Sequence, residues 1–243
     1  MRLDRRVVEE GLAESRARAQ ALIRGGMVEL DGAVCRKPSQ SAPEGASLRL
    51  IGEVCPWVSR AGLKLDHAFD RFGVSAQGRT ALDLGASTGG FTQVCLRRGA
   101  RRVYAVDVGR GQLHATLRLD PNVVSLEGVN AKELSRELVP EPFDLVTADL
   151  SFISLSKALP KPLALAAPKA DAILLVKPQF EAGRERIGKG GVVKDPAARE
   201  ASVDAVAAAL SELGWRAVDA AVSPILGGDG NEERLLWARN EAI

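Results

Sequence analysis

The sequence predicts an α/β fold, a doubly wound and mostly parallel sheet whose last strand runs antiparallel, preceded by a small α+β unit. Three observations carry that expectation. From Thr80 onward, apolar runs rich in β-branched residues alternate with segments of helical length, the pattern of βαβ connections. The first turn of this alternation is glycine-rich, LDLGASTGGF at 82–91. Ahead of it, the residues up to about Gly52 have a different texture, two helices followed by short strands.

In chain order, Val7, Val8 and Leu12 share a face at helical spacing, and Ala19, Leu22 and Ile23 repeat it before Gly25 and Gly26 stop the second helix. Met27–Leu30 and Ala33–Cys35 flank Asp31-Gly32, the mark of a tight hairpin, and Ser47–Ile51 supplies a last strand. A unit of about fifty residues is near the lower limit for an independent core. CPWVSR (55–60) reads as a connector, because Pro56 excludes helix. A helix follows with Leu63, Leu65, Phe69 and Phe72 on its apolar side and Gly73 at its end. ALDLG (81–85), RVYAVDV (102–108), VVSLEG (123–128), FDLVTADLS (143–151) and ILLVKPQF (173–180) are successive strands, with helices over Gly90–Gly99 and Ala131–Leu138 between them. Residues 195–214 form a helix with Asp195 as N-cap, Pro196 at its first position and Gly214 past its end. WRAVDAAVSPI and RLLWARN, joined by a glycine-rich turn, are two closing strands that pair antiparallel.

Composition removes several function classes. Hydrophobic residues at 46% and charged residues at 26% describe an ordinary globular chain. No stretch reaches the roughly 20 apolar residues of a membrane span, and the arginines of MRLDRRVVEEGL are followed by no apolar signal segment. Cys35, Cys55 and Cys95 form no C-x-x-C pair and, with two histidines, no zinc set. These features predict a cytoplasmic protein with buried, inert thiols and no metal. The net charge of +2 says little, but Arg2, Arg5, Arg6, Arg16, Arg18, Arg24, Arg36 and Lys37 crowd the N-terminal unit.

The glycine-rich turn admits two chemistries. Gly85–Gly89 fits the G-x-S-x-G elbow that presents a nucleophilic serine, here Ser87, and also a turn that lets backbone approach a nucleotide-like ligand. A hydrolase of that kind needs a base histidine far downstream, in the order serine, acid, histidine. His114 alone lies beyond Ser87, in the segment just after Asp107, and no histidine stands near the C-terminus. The turn therefore reads as a cradle. Asp107, ending the second strand, stands where an acid accepts ribose hydroxyls, close to the roughly twenty-residue spacing of that pairing. Asp83 and Asp107 together favour a cationic sulfonium ligand over a pyrophosphate, hence S-adenosylmethionine over a nicotinamide cofactor.

Lys177 ends the apolar run AILLV at the carboxyl edge of the sheet, where an ammonium is costly unless paired or poised for chemistry. Asp149 ends the preceding strand at the same edge. A structural ion pair and a reactive pair are both open from these two residues. Lys64 and Glu233 read singly as surface charges. In order, however, Lys64, Asp149, Lys177 and Glu233 resemble the catalytic tetrad of FtsJ-like ribose 2′-O-methyltransferases. Glu232 competes with Glu233, which is preferred because the family's G-N-x-E pattern places the acid third after the glycine.

SRAGLKL, LDLGASTGGFT, VDVGRGQL, ADLSFISL, LVKPQFEAG, GKGGVVKDP and GNEERLLW, in this order, resemble the TlyA family of rRNA 2′-O-methyltransferases, some of which carry the name hemolysin. RLDRRVVEEGLAESRARAQALIRGGMVELDG resembles the RNA-binding module named after ribosomal protein S-four. The resemblance implies a Rossmann-like class I methyltransferase domain at 60–243, an RNA-binding domain at 1–54 and a linker at 55–59. It implies S-adenosylmethionine as donor, held by Asp83, Gly85, Ala86, Ser87, Thr88, Gly89, Gly90, Phe91, Asp107, Val108, Gln112, Leu113, Asn130, Asp149 and Leu150. It implies Lys177 as the base or the group that steers the acceptor oxygen, and methylation of cytidine ribose in rRNA, with the large subunit favoured. Arg2, Arg5, Arg6, Arg16, Arg18, Arg24 and Lys37 would dock on RNA phosphates; the alternative is that the arginines pair with Glu9, Glu10 and Glu14. The expected partner is rRNA or a ribosomal subunit, the expected state a monomer or weak dimer. A membrane-active cytolysin and a non-catalytic assembly factor are the competing functions, and no segment suits membrane insertion convincingly.

Overall fold

In the computed structural model the described residues are 1–13, 15–51, 55–183, 187–188 and 190–242. Glu14, weighed above as an arginine partner, and Lys189 of the GKGGVVKDP motif lie outside them. The chain divides into two compact units, Met1–Pro56 and Trp57–Ile243.

In the first unit, helices α1 (Leu3–Glu9) and α2 (Arg16–Arg24) precede strands β1 (Val28–Leu30), β2 (Ala33–Cys35) and β3 (Leu48–Leu50). Ser15 caps α2 by accepting the Arg18 N–H at 3.2 Å. β1 pairs antiparallel with both other strands. The hairpin turn takes left-handed backbone at Asp31 (φ 50°) and Gly32 (φ 81°), the geometry that matches strand twist. Leu3, Val7, Ala19, Leu22 and Ile23 bury against Val28 and Cys35, while Val8 and Leu12 sit at the rim of that core.

The second unit opens with α3 (Ala61–Phe72), whose inner face buries Leu65, Ala68, Phe69 and Phe72 and carries Lys64 with them. Leu63 is half-buried. Then follow β4 (Thr80–Leu84), α4 (Gly90–Arg97), β5 (Arg102–Asp107), α5 (Ala115–Arg118), β6 (Val123–Glu127) and β7 (Leu145–Ala148). After them come α6 (Leu155–Ala158), α7 (Pro160–Ala164), β8 (Asp171–Val176), α8 (Pro178–Glu181), α9 (Pro196–Glu212), β9 (Trp215–Val222) and β10 (Arg234–Asn240). The seven strands lie in the order β6-β5-β4-β7-β8-β10-β9. β4 to β8 are mutually parallel, and the last strand, β10, is antiparallel and inserted between β8 and β9. Alternation sends Leu82, Leu84, Val146 and Ala148 to one apolar layer and Ala81 and Leu145 to the other.

The segment 131–138 corrects the expectation of a helix. Only Ala131–Glu133 makes a 3-10 turn, capped by the Asn130 side chain on the Lys132 N–H at 3.0 Å. Leu134 then turns to extended backbone, and Leu134 and Val139 reach the core separately rather than from one helical face. Among the described residues no helix is long and apolar enough to cross a membrane.

Candidate active site

β4 and β7 are neighbours at the point where the strand order reverses, and in open α/β sheets ligands bind beyond the carboxyl ends at such a point. Leu84 and Ala148 are in register, so Gly85 and Asp149 leave the sheet side by side. Gly85 has φ +79°, and a Cβ there would lie 2.4 Å from the Asp149 carbonyl oxygen. Only glycine permits that approach. The Gly85 and Ala86 N–H groups both donate to the Val106 carbonyl, at 2.9 and 3.1 Å.

Asp107 organises the turn. Its carboxylate accepts the Ser87 N–H at 2.8 Å and the Gly109 N–H at 2.7 Å, and each oxygen keeps capacity for a ligand hydroxyl. Ser87 is held at φ 48°, but its hydroxyl meets Gln112 at 3.2 Å, and the His114 ring engages the Thr116 hydroxyl at 2.9 Å. Among the described residues the two side chains thus have separate partners rather than each other.

A cavity of about 490 Å³ opens beside this turn, the size of a small-molecule site. Its walls include Gly85, Ser87, Asp107, Val108, Gln112, Asn130, Asp149 and Leu150 from the sequence-derived set, and Val129, Ser151, Phe152 and Ile153 besides. The remaining expected contacts lie elsewhere. Phe91 and Leu113 are core residues, Ala86 packs with Leu113 and Leu117, and Thr88 is exposed outside the cavity wall. Gly89 caps α4 under Leu113 and Leu117, and Gly90 packs beneath Ser59.

Asp83 calls for a correction of its own. It is fully buried behind the wall, not on it, and its oxygens accept the hydroxyls of Thr92 at 2.6 Å and Thr147 at 3.0 Å. Burial pushes its pKa up to about 7, against the pull of the two hydroxyls and with help from the nearby Asp149 charge. The expectation that Asp83 faces a cationic ligand beside Asp107 does not hold in this geometry, because strand alternation turns it into the sheet–α4 layer.

The four charged residues meet in two pairs at the same sheet edge. Lys177 Nζ lies 2.6 Å from Asp149 Oδ1 and donates to Ser151 Oγ at 2.9 Å. Lys64 Nζ lies 2.5 Å from Glu233 Oε2, with both residues buried. Arg234 is in register with Val176, so the preceding Glu233 comes opposite Lys177 across the antiparallel pair. Gly227 makes room, since a Cβ there would lie 2.6 Å from Glu233 Oε1. Glu232 instead pairs outward with Arg199 at 3.2 Å. Neither ion pair is an exposed one, so neither is explained as surface decoration.

Three residues escaped the sequence reading. Ser151 follows Asp149 by two positions and meets Lys177. Phe152 is 93% exposed and has φ 66°, unusual for an aromatic residue, with its ring 5.6 Å from Phe180. Glu181 accepts the Leu155 N–H at 2.7 Å, tying the cavity-lining segment to the turn after Lys177, and burial raises its pKa. The quoted motifs ADLSFISL and LVKPQFEAG contain all three, but exposure and backbone sign are not written in residue type.

In the first unit, the arginines divide. Arg2 and Arg16 bind the buried Asp4 at 3.0 and 2.9 Å, Arg6 binds Glu10 at 2.7 Å, and Arg18 donates to the Cys55 carbonyl at 2.8 Å. Among the described residues Arg24 meets Gln20, at 3.3 Å, while Arg5 and Lys37 are exposed and make no ion pair. Asp4, with Gln20 at 2.8 Å as a further partner, was not among the expected acids.

Similarity to known proteins agrees with this architecture. The FtsJ-like methyltransferase profile matches residues 57–240 and the S4 domain profile residues 1–47. The chain is 47% identical over 241 residues to the 16S/23S rRNA (cytidine-2′-O)-methyltransferase TlyA of Mycobacterium tuberculosis, covering 99% of this chain and 90% of that one. It is 39% identical over 236 residues to Hemolysin A of Brachyspira hyodysenteriae, covering 97% and 98%. A solved hemolysin structure from Streptococcus thermophilus superposes with a TM-score of 0.79 at 38% identity, covering 99% of this chain and 88% of that one. With profile, relatives and sheet topology in agreement, the chain belongs to the FtsJ-like methyltransferase family, in its TlyA group, and is a methyltransferase.

Proposed function

We propose that the protein methylates the 2′-hydroxyl of cytidine ribose in rRNA, with S-adenosylmethionine as donor, the N-terminal unit engaging the RNA. One observation carries the reading: Lys177, Asp149, Lys64 and Glu233 gather at the sheet edge where the glycine turn opens its cavity. The cavity fits the donor in kind. Asp107 offers acceptors to ribose hydroxyls, Val108, Val129, Leu150 and Ile153 offer an apolar slot for a purine, and Asn130 and Gln112 offer amide groups at its rim. When bound, the donor supplies an electrophilic methyl on a sulfonium with a good leaving group.

A ribose hydroxyl is a weak nucleophile, so the protein's work is alignment and removal of one proton. The resting Lys177 ammonium first releases one proton to solvent; as the neutral amine, still donating to Asp149 and Ser151, it turns its lone pair to the acceptor hydroxyl and takes that proton as the methyl passes to the oxygen. Asp149 and Ser151 hold Lys177 on two sides, leaving one direction for the acceptor. Lys64 and Glu233 neutralise one another and hold the neighbouring strand end in place. Phe152, an exposed ring beside Lys177's segment, offers a face on which the target base stacks. RNA phosphates meet Arg5, Arg24 and Lys37, joined by the outer guanidinium nitrogens of Arg16.

Labelled methyl transfer to rRNA with mass mapping of the modified ribose tests the proposal, with large- and small-subunit RNAs as separate substrates. Lys177→Ala abolishes transfer while calorimetry still detects donor binding. Lys177→Arg keeps a hydrogen-bond donor but cannot give up a proton, and it too is inactive if Lys177 is the base. Near-normal turnover by Lys177→Ala sinks the assignment.

A further inference from the structure

Lys177 is 9% exposed, and its ammonium has three hydrogens to place. Asp149 Oδ1 receives one and Ser151 Oγ another, at 2.6 and 2.9 Å. A buried ammonium beside a carboxylate is already satisfied in charge, so the serine is not needed to neutralise it. Ser151 is itself exposed and lies on the cavity wall. Its hydroxyl accepts from Lys177 and makes no other hydrogen bond with a described residue, so its own O–H remains to donate.

The backbone fixes where that hydroxyl stands. The Asp149 N–H donates to the Leu84 carbonyl at 2.9 Å, and the Asp149 carbonyl is packed against Gly85. Just beyond Ser151, Phe152 adopts φ 66°, a conformation that costs an ordinary residue about 1 kcal/mol and that collects at ligand clamps. Glu181 then secures Leu155. Ser151 is therefore held between a tight strand exit and a strained turn, with its side chain beside the group that meets the acceptor hydroxyl.

We propose that Ser151 registers the acceptor nucleotide against Lys177, its oxygen receiving the lysine N–H while its O–H donates to a ribose oxygen of the target. The inference rests on the reading of Lys177 given above. It adds a substrate-contacting residue outside the charged tetrad, one that holds Lys177 before the acceptor arrives.

The test compares Ser151→Ala, Ser151→Thr and Lys177→Ala in the full chain, with single-turnover methyl transfer to rRNA and calorimetric titration with S-adenosylmethionine. Ser151→Ala is expected to slow transfer about 10- to 100-fold at saturating donor, the worth of one hydrogen bond to a charged centre. Its donor affinity and melting temperature stay unchanged, and Ser151→Thr, which keeps the hydroxyl, restores most of the rate. A Ser151→Ala rate equal to wild type, with Lys177→Ala inactive, overturns the role of Ser151 and leaves the reading of Lys177 standing. Loss of donor affinity in proportion to the rate also overturns it, assigning Ser151 to the donor wall. An active Lys177→Ala overturns both.

Discussion

Gly85→Ala gives the sharpest test of how the cleft is built. Two separate penalties apply. Left-handed backbone, here φ +79°, costs a residue with a Cβ about 1–2 kcal/mol. The added methyl would also lie 2.4 Å from the Asp149 carbonyl oxygen and 3.1 Å from Leu150 Cδ2. That oxygen is backbone in a central strand exit, held by the bond from the Asp149 N–H to Leu84, so it cannot swing aside as a flexible side chain would. Forcing extra volume into such a site costs about 1–3 kcal/mol. The sum, roughly 2–5 kcal/mol, lowers the melting temperature by roughly 5–20 °C for a domain of this size. Gly111→Ala is the control, since Gly111 has φ +66° but nothing within 4 Å of where its Cβ would stand, so only the first penalty applies. Calorimetric melting of both variants, with methyl transfer measured at a temperature where each is folded, separates the two penalties. Equal melting shifts for the two variants would refute the argument from close approach, and full activity in Gly85→Ala would refute its link to Asp149.

Four further outcomes follow from the same geometry. Asp83 has a folded pKa raised to about 7 by burial, so its favourable contribution is complete below the unfolded value near 4 and fades as pH rises through 7. The stability difference between Asp83→Asn and wild type should therefore shift in the variant's favour as pH rises from about 4 to 7, by up to about 4 kcal/mol in all, and parallel melting curves would refute it. Asp4 is held well below the usual carboxylate range, first by the Arg2 hydrogen bond and then by Gln20 and Arg16 against its burial. Its stabilisation is present above the unfolded pKa and lost as pH falls through the folded one, so Asp4→Asn and wild type differ at neutral pH and converge in acid, as amide exchange within Met1–Pro56 will show. Glu181→Gln keeps an acceptor for the Leu155 N–H and should bind donor normally, whereas Glu181→Ala should lose affinity several-fold in calorimetry (on the order of one hydrogen bond); equal affinities count against the tether. Phe152→Gly relieves the φ of 66° and should raise the melting temperature slightly while transfer falls, since stacking on a base is worth about 1–3 kcal/mol; unchanged transfer removes the platform.

The sheet and its glycine turn were legible because their signals are local. Alternating apolar runs announce buried parallel strands, Asp195-Pro196 announces a helix start, and Asp31-Gly32 announces a hairpin, each through a steric or hydrogen-bonding rule at fixed spacing. The pairing of Lys177 with Asp149 was legible as well, because both end apolar runs at one edge. The insertion of β10 between β8 and β9 was not, since strand order depends on long-range pairing that residue type does not encode. The orientation of Asp83 was misread because its neighbours are apolar on both faces, so nothing in the run LDLG marks which side receives the carboxylate. Asp4 was missed for a similar reason. It follows Leu3 in a helix rich in charge, and only the fold brings Arg2, Arg16 and Gln20 around it.

The inserted last strand has a consequence for the order in which the protein is made. β9 has no place beside β8 until residues 234–240 arrive to bridge them, and Glu233, which enters with that bridge, is separated from Lys64 by nearly the whole second unit. During synthesis the parallel half of the sheet and the glycine turn precede both, so a nascent chain can present the cleft's floor while its chemistry is still incomplete. Until translation reaches that bridge, Lys64 lacks its counterion and β8 keeps a bare flank, which makes this the interval in which a growing chain most needs shielding from its neighbours.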